Sequence, residues 1–261
     1  MRRRARLAML TALAMLLGCA TPATPLAPDT RRSGFDFMGE QTQAMQRDDG
    51  ANPGMLWVQD GQAAWNAVPA PPSRSCASCH AAAESSMRGV AARYPAWDAA
   101  LARPVNLGAR INLCRERYQQ AAALAADQPQ LLSLEAYVAH QSRGLPIAPD
   151  PDPRLQPFRT RGAQLFVQRM GQLDLSCAQC HDQLAGQKLA GSAIPQAHPT
   201  GYPLYRLEWQ SLGSLQRRLR GCMVGVRAEP FAPGSVEFVE LELHLAARAM
   251  GMLLETPAVR P

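Results

Sequence analysis

Two six-residue runs, Ser75-Cys76-Ala77-Ser78-Cys79-His80 and Ser176-Cys177-Ala178-Gln179-Cys180-His181, carry residue types and a spacing that suit one chemistry. In Cys-x-x-Cys-His, two thiols add to the vinyl groups of a haem, and the adjacent histidine is placed to bind iron from the proximal side. A zinc site, a redox dithiol and a structural disulfide are the rivals for a single cytoplasmic copy. Two exported copies, each with its histidine, favour covalent haem c. Cys76, Cys79, Cys177 and Cys180 are therefore the expected attachment points of two haems, with His80 and His181 as proximal ligands.

The elements that must hold these residues repeat as well. Gly61-x-x-x-Trp65 precedes the first motif and Gly162-x-x-x-Phe166 the second, at the same offset of 101 that separates the motifs. Tyr94-Pro95 answers to Tyr202-Pro203, and twenty residues after each tyrosine stands a cysteine, Cys114 and then Cys222, at offset 108. Leu107 and Arg110 match Leu215 and Arg218 at that offset, while Leu134-Glu135 and Gly144 match Leu241-Glu242 and Gly251 at 107. One haem-binding unit has been duplicated. Seven extra residues between 186 and 200 give the second unit a longer loop on that side of its haem. The proline-rich run 145–157 disfavours helix and stiffens a connection between the units. Phe238, Leu241, Leu245, Ala249 and Met252 recur at helical spacing, with Glu237, Glu240 and Arg248 on other faces. The expected fold is all-α: two tandem class-I-like cytochrome c domains at 57–147 and 161–261, a linker at 148–160, and an N-terminal extension at 21–56.

A chain of 261 residues, 47% hydrophobic, can bury two such cores. Residues 1–20 read as a secretory leader, with arginines, an apolar run and then small residues. The expected destination is the periplasm, and a lipid anchor on Cys19 competes with cleavage after Ala20. No later segment supplies the roughly twenty unbroken apolar residues that a membrane span needs. The formal charge of +6 falls by four when Arg2, Arg3, Arg4 and Arg6 leave with the leader, so there is no nucleic-acid footprint. Six of the seven cysteines remain in the exported chain, where free thiols need an explanation.

Cys114 and Cys222 supply one. Met87 follows His80 too closely to wrap round a haem, and Met170 belongs to the second unit, so Cys114 and His140 are the candidates for the sixth ligand of the first iron. The repeat selects Cys114, because His140 falls on Ala247. Cys222 is the matching ligand of the second iron, against a disulfide to Cys114 or ligation by Met223. His198 and His244 read as ordinary loop and helix residues. Thiolate ligation favours ferric iron and a low reduction potential.

The run Arg218-Arg-Leu-Arg-Gly-Cys222-Met-Val-Gly-Val-Arg227-Ala-Glu-Pro230, followed by Gly234-Ser235, Phe238, Leu241-Glu242 and Arg248, resembles the signature of the SoxA family, dihaem cytochromes of the bacterial sulfur-oxidising system. Gln43-Ala-Met-Gln46, Asp48-Asp49 and Asn52 through Val58 to Gly61 are similar to the family's N-terminal segment. The resemblance implies a monohaem partner, SoxX, and oxidative joining of thiosulfate to a cysteine of the carrier SoxYZ, with electrons leaving through haem to a downstream cytochrome. It implies a persulfide on Cys222 and a substrate contact from Arg218, beside a structural or propionate-binding role for that arginine, since Arg110 holds the same place near Cys114. A dihaem electron carrier without its own substrate and a dihaem peroxidase are the alternatives. Arg227-Ala-Glu-Pro230 after Cys222, where Arg115-Glu-Arg-Tyr118 follows Cys114, separates the sulfur-transfer reading from the carrier.

Overall fold

The structure, a computed structural model, describes residues 30–69 and 73–261. The expected leader and Cys19 lie outside them. The first repeat follows α1 (Glu40–Arg47) and comprises α2 (Gly54–Asn66), α3 (Cys76–His80), α4 (Ala83–Ser86), strands β1 (Ala96–Asp98) and β2 (Arg103–Val105), α5 (Leu107–Tyr118) and α6 (Pro129–His140). The second comprises α7 (Gln156–Val167), β3 (Lys188–Leu189), β4 (Ser192–Ala193), β5 (Leu204–Arg206), β6 (Ser211–Gly213), α8 (Leu215–Gly225) and α9 (Val236–Arg248), and the chain closes on β7 (Val259–Arg260). Among the described residues no helix is long and apolar enough to cross a membrane.

Each repeat is built on one helix crossing, α2 on α6 and α7 on α9, and the repeated glycine is what lets the helices meet. A Cβ on Gly61 would lie 2.0 Å from the Ser133 carbonyl oxygen, and one on Gly162 would lie 1.9 Å from that of Glu240. One turn on, Trp65 and Phe166 are buried at 4% and 3% exposure and anchor the two cores. Gly162→Ala gains about 1 kcal/mol in helix propensity but cannot be housed without parting two backbones. A net loss of about 2 kcal/mol is expected, read as a lower urea midpoint of the haem-loaded protein with the haem content unchanged.

Helices carry both repeats, yet the fold is not purely helical. β1 and β2 pair antiparallel, with Ala96 opposite Val105, and β5 and β6 pair the same way, with Leu204 opposite Gly213. β7 adds a parallel edge to β5. These strands are two or three residues long, too short for a period-two pattern to show in sequence. Both hairpins lead directly into a capped helix. The Asn106 side chain accepts from Ala109 N–H at 2.9 Å, and that of Ser214 from Arg217 N–H at 3.1 Å.

The halves join where each closing helix ends. Gly144 N–H donates to Leu254 O and Gly251 N–H to Ile147 O, both at 2.8 Å. Ile147 N–H donates to Met252 O and Leu254 N–H to Leu145 O. Ile147, Ala249 and Leu254 form a small core at this seam, against which Met252 packs. Met252 therefore lies past α9, beyond Gly251 with its φ of 85°, and not on the helical stripe. Glu240 also departs from expectation. It is 3% exposed and pairs with Arg161 at 2.5 Å, the partner that lets a carboxylate sit at the α7–α9 crossing. Within the proline-rich run, α7 already begins at Gln156.

Candidate functional site

In the first repeat, Ser75 caps α3 by accepting from Ser78 N–H at 3.0 Å, which fixes the turn that carries Cys76, Cys79 and His80. The Trp65 indole donates to Ala81 O at 3.1 Å, and its ring lies 5.7 Å from that of His80. Cys114, on the fourth half-turn of α5, has the Cys79 thiol and the guanidiniums of Arg110 and Arg117 within electrostatic reach. Arg110 contacts Asp98 at 2.8 Å, and Arg117 lies 3.6 Å from the same oxygen. Burial pushes the Cys114 thiol up, against the pull of those arginines, and Asp98 adds to the rise. His140 stands apart, beside the Asp49–Arg143 ion pair at 2.6 Å.

In the second repeat, the motif begins as a helical turn capped by Ser176, which Gln179 N–H meets at 3.3 Å, and opens into a π turn at Gln179–Gln183. The seven extra residues form the β3–β4 hairpin, turned at Ala190 and Gly191 with φ 47° and 85°. The hairpin leads to Pro195, whose carbonyl oxygen lies 2.7 Å from His181 Nδ1. A carbonyl can only accept, so Nδ1 carries the proton and Nε2 is left with its lone pair, the tautomer a metal requires.

Cys222 occupies on α8 the place of Cys114 on α5 and lies near the His181 ring. Burial would push this thiol up, but the nearby His181 ring and the cations Arg218 and Arg206 outweigh it and hold the thiol below the usual cysteine range. Arg217 is engaged elsewhere, donating to Ser211 Oγ at 3.2 Å and lying 4.2 Å over the Trp209 ring. Arg218 enters no ion pair among the described residues, in contrast to Arg110. Met223 points into the core with Phe166, Phe238, Leu241 and Leu245. His244 packs 5.1 Å from Phe166, and burial pulls it down to about 4; buried His198 has its Nδ1 2.8 Å from Arg32 O.

This donor set fits haem c. Cys114 lies within electrostatic reach of Cys76 and Cys79, and Cys222 of Cys177 and His181, and all six cysteines of the described residues are free of disulfides. Cys114 and Cys222 each lie by their own motif, which removes the geometric basis for bonding them to one another. Two contributors went unseen in the sequence. The Pro195 carbonyl carries no side-chain signal at all, whereas Arg206, opposite Cys222, was findable as the repeat partner of Asp98 at offset 108.

A family model described as SoxA/TsdA, cytochrome c domain, matches residues 60–147 and 161–254. The L-cysteine S-thiosulfotransferase subunit SoxA of Pseudaminobacter salicylatoxidans is 38% identical over 233 residues, 89% of this chain and 82% of its own. The protein of that name from Rhodovulum sulfidophilum is 36% identical over 232 residues, 89% of this chain and 81% of its own. The crystal structure of SoxXA from P. pantotrophus superposes with a TM-score of 0.85 at 32% identity, covering 88% of this chain and 87% of that one. With both cytochrome repeats matched and this likeness sustained along most of its length, the chain belongs to the SoxA/TsdA cytochrome c domain family, among its SoxA members.

Proposed function

We propose that this chain is the cytochrome subunit of an L-cysteine S-thiosulfotransferase, joining thiosulfate oxidatively to a cysteine of a SoxYZ-type carrier, with Cys222 as the sulfur-bearing centre. In the reaction one sulfur–sulfur bond forms, the carrier thiol loses its proton, and two electrons leave. Haem c, when bound, would supply the one-electron acceptor chemistry for the electrons that leave. The observation that carries this reading is Cys222 near His181 and beside Arg218, which enters no ion pair among the described residues. Cations beside a thiol favour thiolate, the form that attacks or carries sulfur. Arg218, one turn earlier on α8, draws the thiosulfate anion to it.

Two haems would be held, one through Cys76 and Cys79 with His80 and Cys114 as donors to its iron, the other through Cys177 and Cys180 with His181 and Cys222. The partner is a monohaem SoxX-type cytochrome, as the name of the SoxXA structure suggests. A further cytochrome takes the electrons, and nucleic acid plays no part. The domain limits are those of the sequence reading, 57–147 and 161–261 around the linker at 148–160, with residues 1–20 directing export to the periplasm. The test is intact mass spectrometry of the protein purified from that compartment, joined to an assay of carrier conjugation. Two haem additions, a sulfur on the Cys222 peptide that reduction removes, and thiosulfate-dependent growth of the carrier's mass are expected. A haem-loaded complex that leaves the carrier's mass unchanged in the presence of thiosulfate and an electron acceptor would overturn the reading. The same spectrum reads the N-terminus, where cleavage after Ala20 and a lipid on Cys19 differ in mass.

A further inference from the structure

Around their cysteines the two repeats differ in charge. β1 ends on Asp98 and β5 on Arg206, which match at offset 108 and in register, Asp98 lying opposite Arg103 and Arg206 opposite Ser211. The turns that follow also agree, with Ala102 and Gln210 both at φ 49°. In the first repeat Asp98 takes Arg110 at 2.8 Å and lies 3.6 Å from Arg117, so the cation one turn before Cys114 is neutralised within the fold. In the second, Arg218 keeps the place of Arg110, glycine (Gly225) replaces Arg117, and an arginine replaces the aspartate.

Arg206 is only partly answered by its neighbours. One terminal nitrogen reaches the carboxylate of Glu208 at 2.7 Å, but that carboxylate is 63% exposed, while the Arg206 side chain is 13% exposed. The guanidinium lies 5.2 Å from the Trp209 ring centre, and its Nε is buried without a partner. Two like charges close to one thiol, one of them with an unmet buried donor, are unfavourable in the protein alone and become favourable once an anion joins them. Burial and the nearness of Arg218 both pull the Arg206 guanidinium down.

The geometry points to Arg206 as a second anion-binding residue, which with Arg218 holds a small doubly charged sulfur oxyanion against the Cys222 sulfur. Asp98, at the same position of the first repeat, withholds such a site from the first haem. This inference rests on the reading of Cys222 as the sulfur-bearing centre.

The test uses the haem-loaded complex with its cytochrome partner, a carrier protein, thiosulfate and an electron acceptor. Arg206→Asp, which copies the first repeat, is expected to raise KM for thiosulfate by roughly tenfold or more, with a much smaller change in kcat. Arg206→Lys is expected to recover most of the loss, and Asp98→Asn to leave KM where it was. The rise of KM with ionic strength should be shallower in Arg206→Asp than in the wild type, because one screened cation is gone. If Arg206→Asp fails to take up haem, Arg206→Gln replaces it, keeping the side chain's bulk and hydrogen bonding without its charge. A wild-type KM in either variant overturns the inference, as does a kcat loss that Arg206→Lys does not restore. Cys222→Ser tells the two failures apart. If that variant is dead and Arg206→Asp binds thiosulfate normally, only the role of Arg206 falls; if Cys222→Ser still turns over, the underlying reading falls with it.

Discussion

Cys222→Ser is expected to lose carrier conjugation by at least about a thousandfold in kcat, as removal of a nucleophile does in other enzymes, while retaining both haems. A serine hydroxyl would sit in the same His181 and Arg218 surroundings but could neither ionise at neutral pH nor carry sulfur. Haem retention follows because attachment depends on Cys76, Cys79, Cys177 and Cys180, which lie on other elements. Two measurements decide it together: haem per chain from the pyridine haemochrome spectrum, and the mass of the carrier after incubation with thiosulfate. Two haems with a conjugated carrier would show that Cys222 does no more than ligate iron.

The second large effect concerns stability. Glu135 and Glu242, repeat partners at offset 107, both border the cavity of about 360 Å³ between the halves. Burial, then the nearness of Glu242 and Asp127, pushes Glu135 up to about 8. Burial pushes Glu242 up to about 7, against the pull of nearby Gln216 and of Asn106, whose amide donates to its carboxylate at 3.3 Å. Both carboxyls bind their protons more tightly in the folded protein than the 4.5 of an open chain. Their contribution is thus complete below pH 4.5 and is lost as pH rises through about 7 and 8, at on the order of 1 kcal/mol per pH unit for each group. The double variant Glu135→Gln, Glu242→Gln keeps the shape and the neutral state without the titration. Its urea midpoint should fall less between pH 5 and pH 8.5 than that of the wild type, and at pH 8.5 it should be more stable by a few kcal/mol (~2–4). Parallel pH profiles for the two proteins would mean that both carboxyls ionise freely.

The parts of this molecule fixed by covalent or helical geometry were legible. Thioether attachment allows one spacing, so the haem sites stand out in the sequence. The glycine before each motif showed in the sequence only as part of the repeat; that it marks a helix crossing depends on the Ser133 and Glu240 backbone carbonyls, which no sequence displays. The hairpins were hidden because three residues cannot show alternation. Glu240 read as a surface residue because its pairing with Arg161 spans two elements far apart in the chain. The carbonyl that orients His181 comes from a loop residue chosen for its backbone alone.

The seam between the halves has one more consequence. Exchanging each residue for its repeat partner turns the Gly144-to-Leu254 hydrogen bond into the Gly251-to-Ile147 one, and the Ile147-to-Met252 bond into the Leu254-to-Leu145 one. Pro146 and Leu253, partners at offset 107, face each other at its centre. This is isologous pairing, the way two identical subunits meet about a dyad, here enclosed in a single polypeptide. Two identical subunits must carry the same residue at both copies of every position. Fusion lifts that constraint, so a symmetric frame can hold an aspartate at one copy and an arginine at the other, and two sites with the same ancestry can do different work.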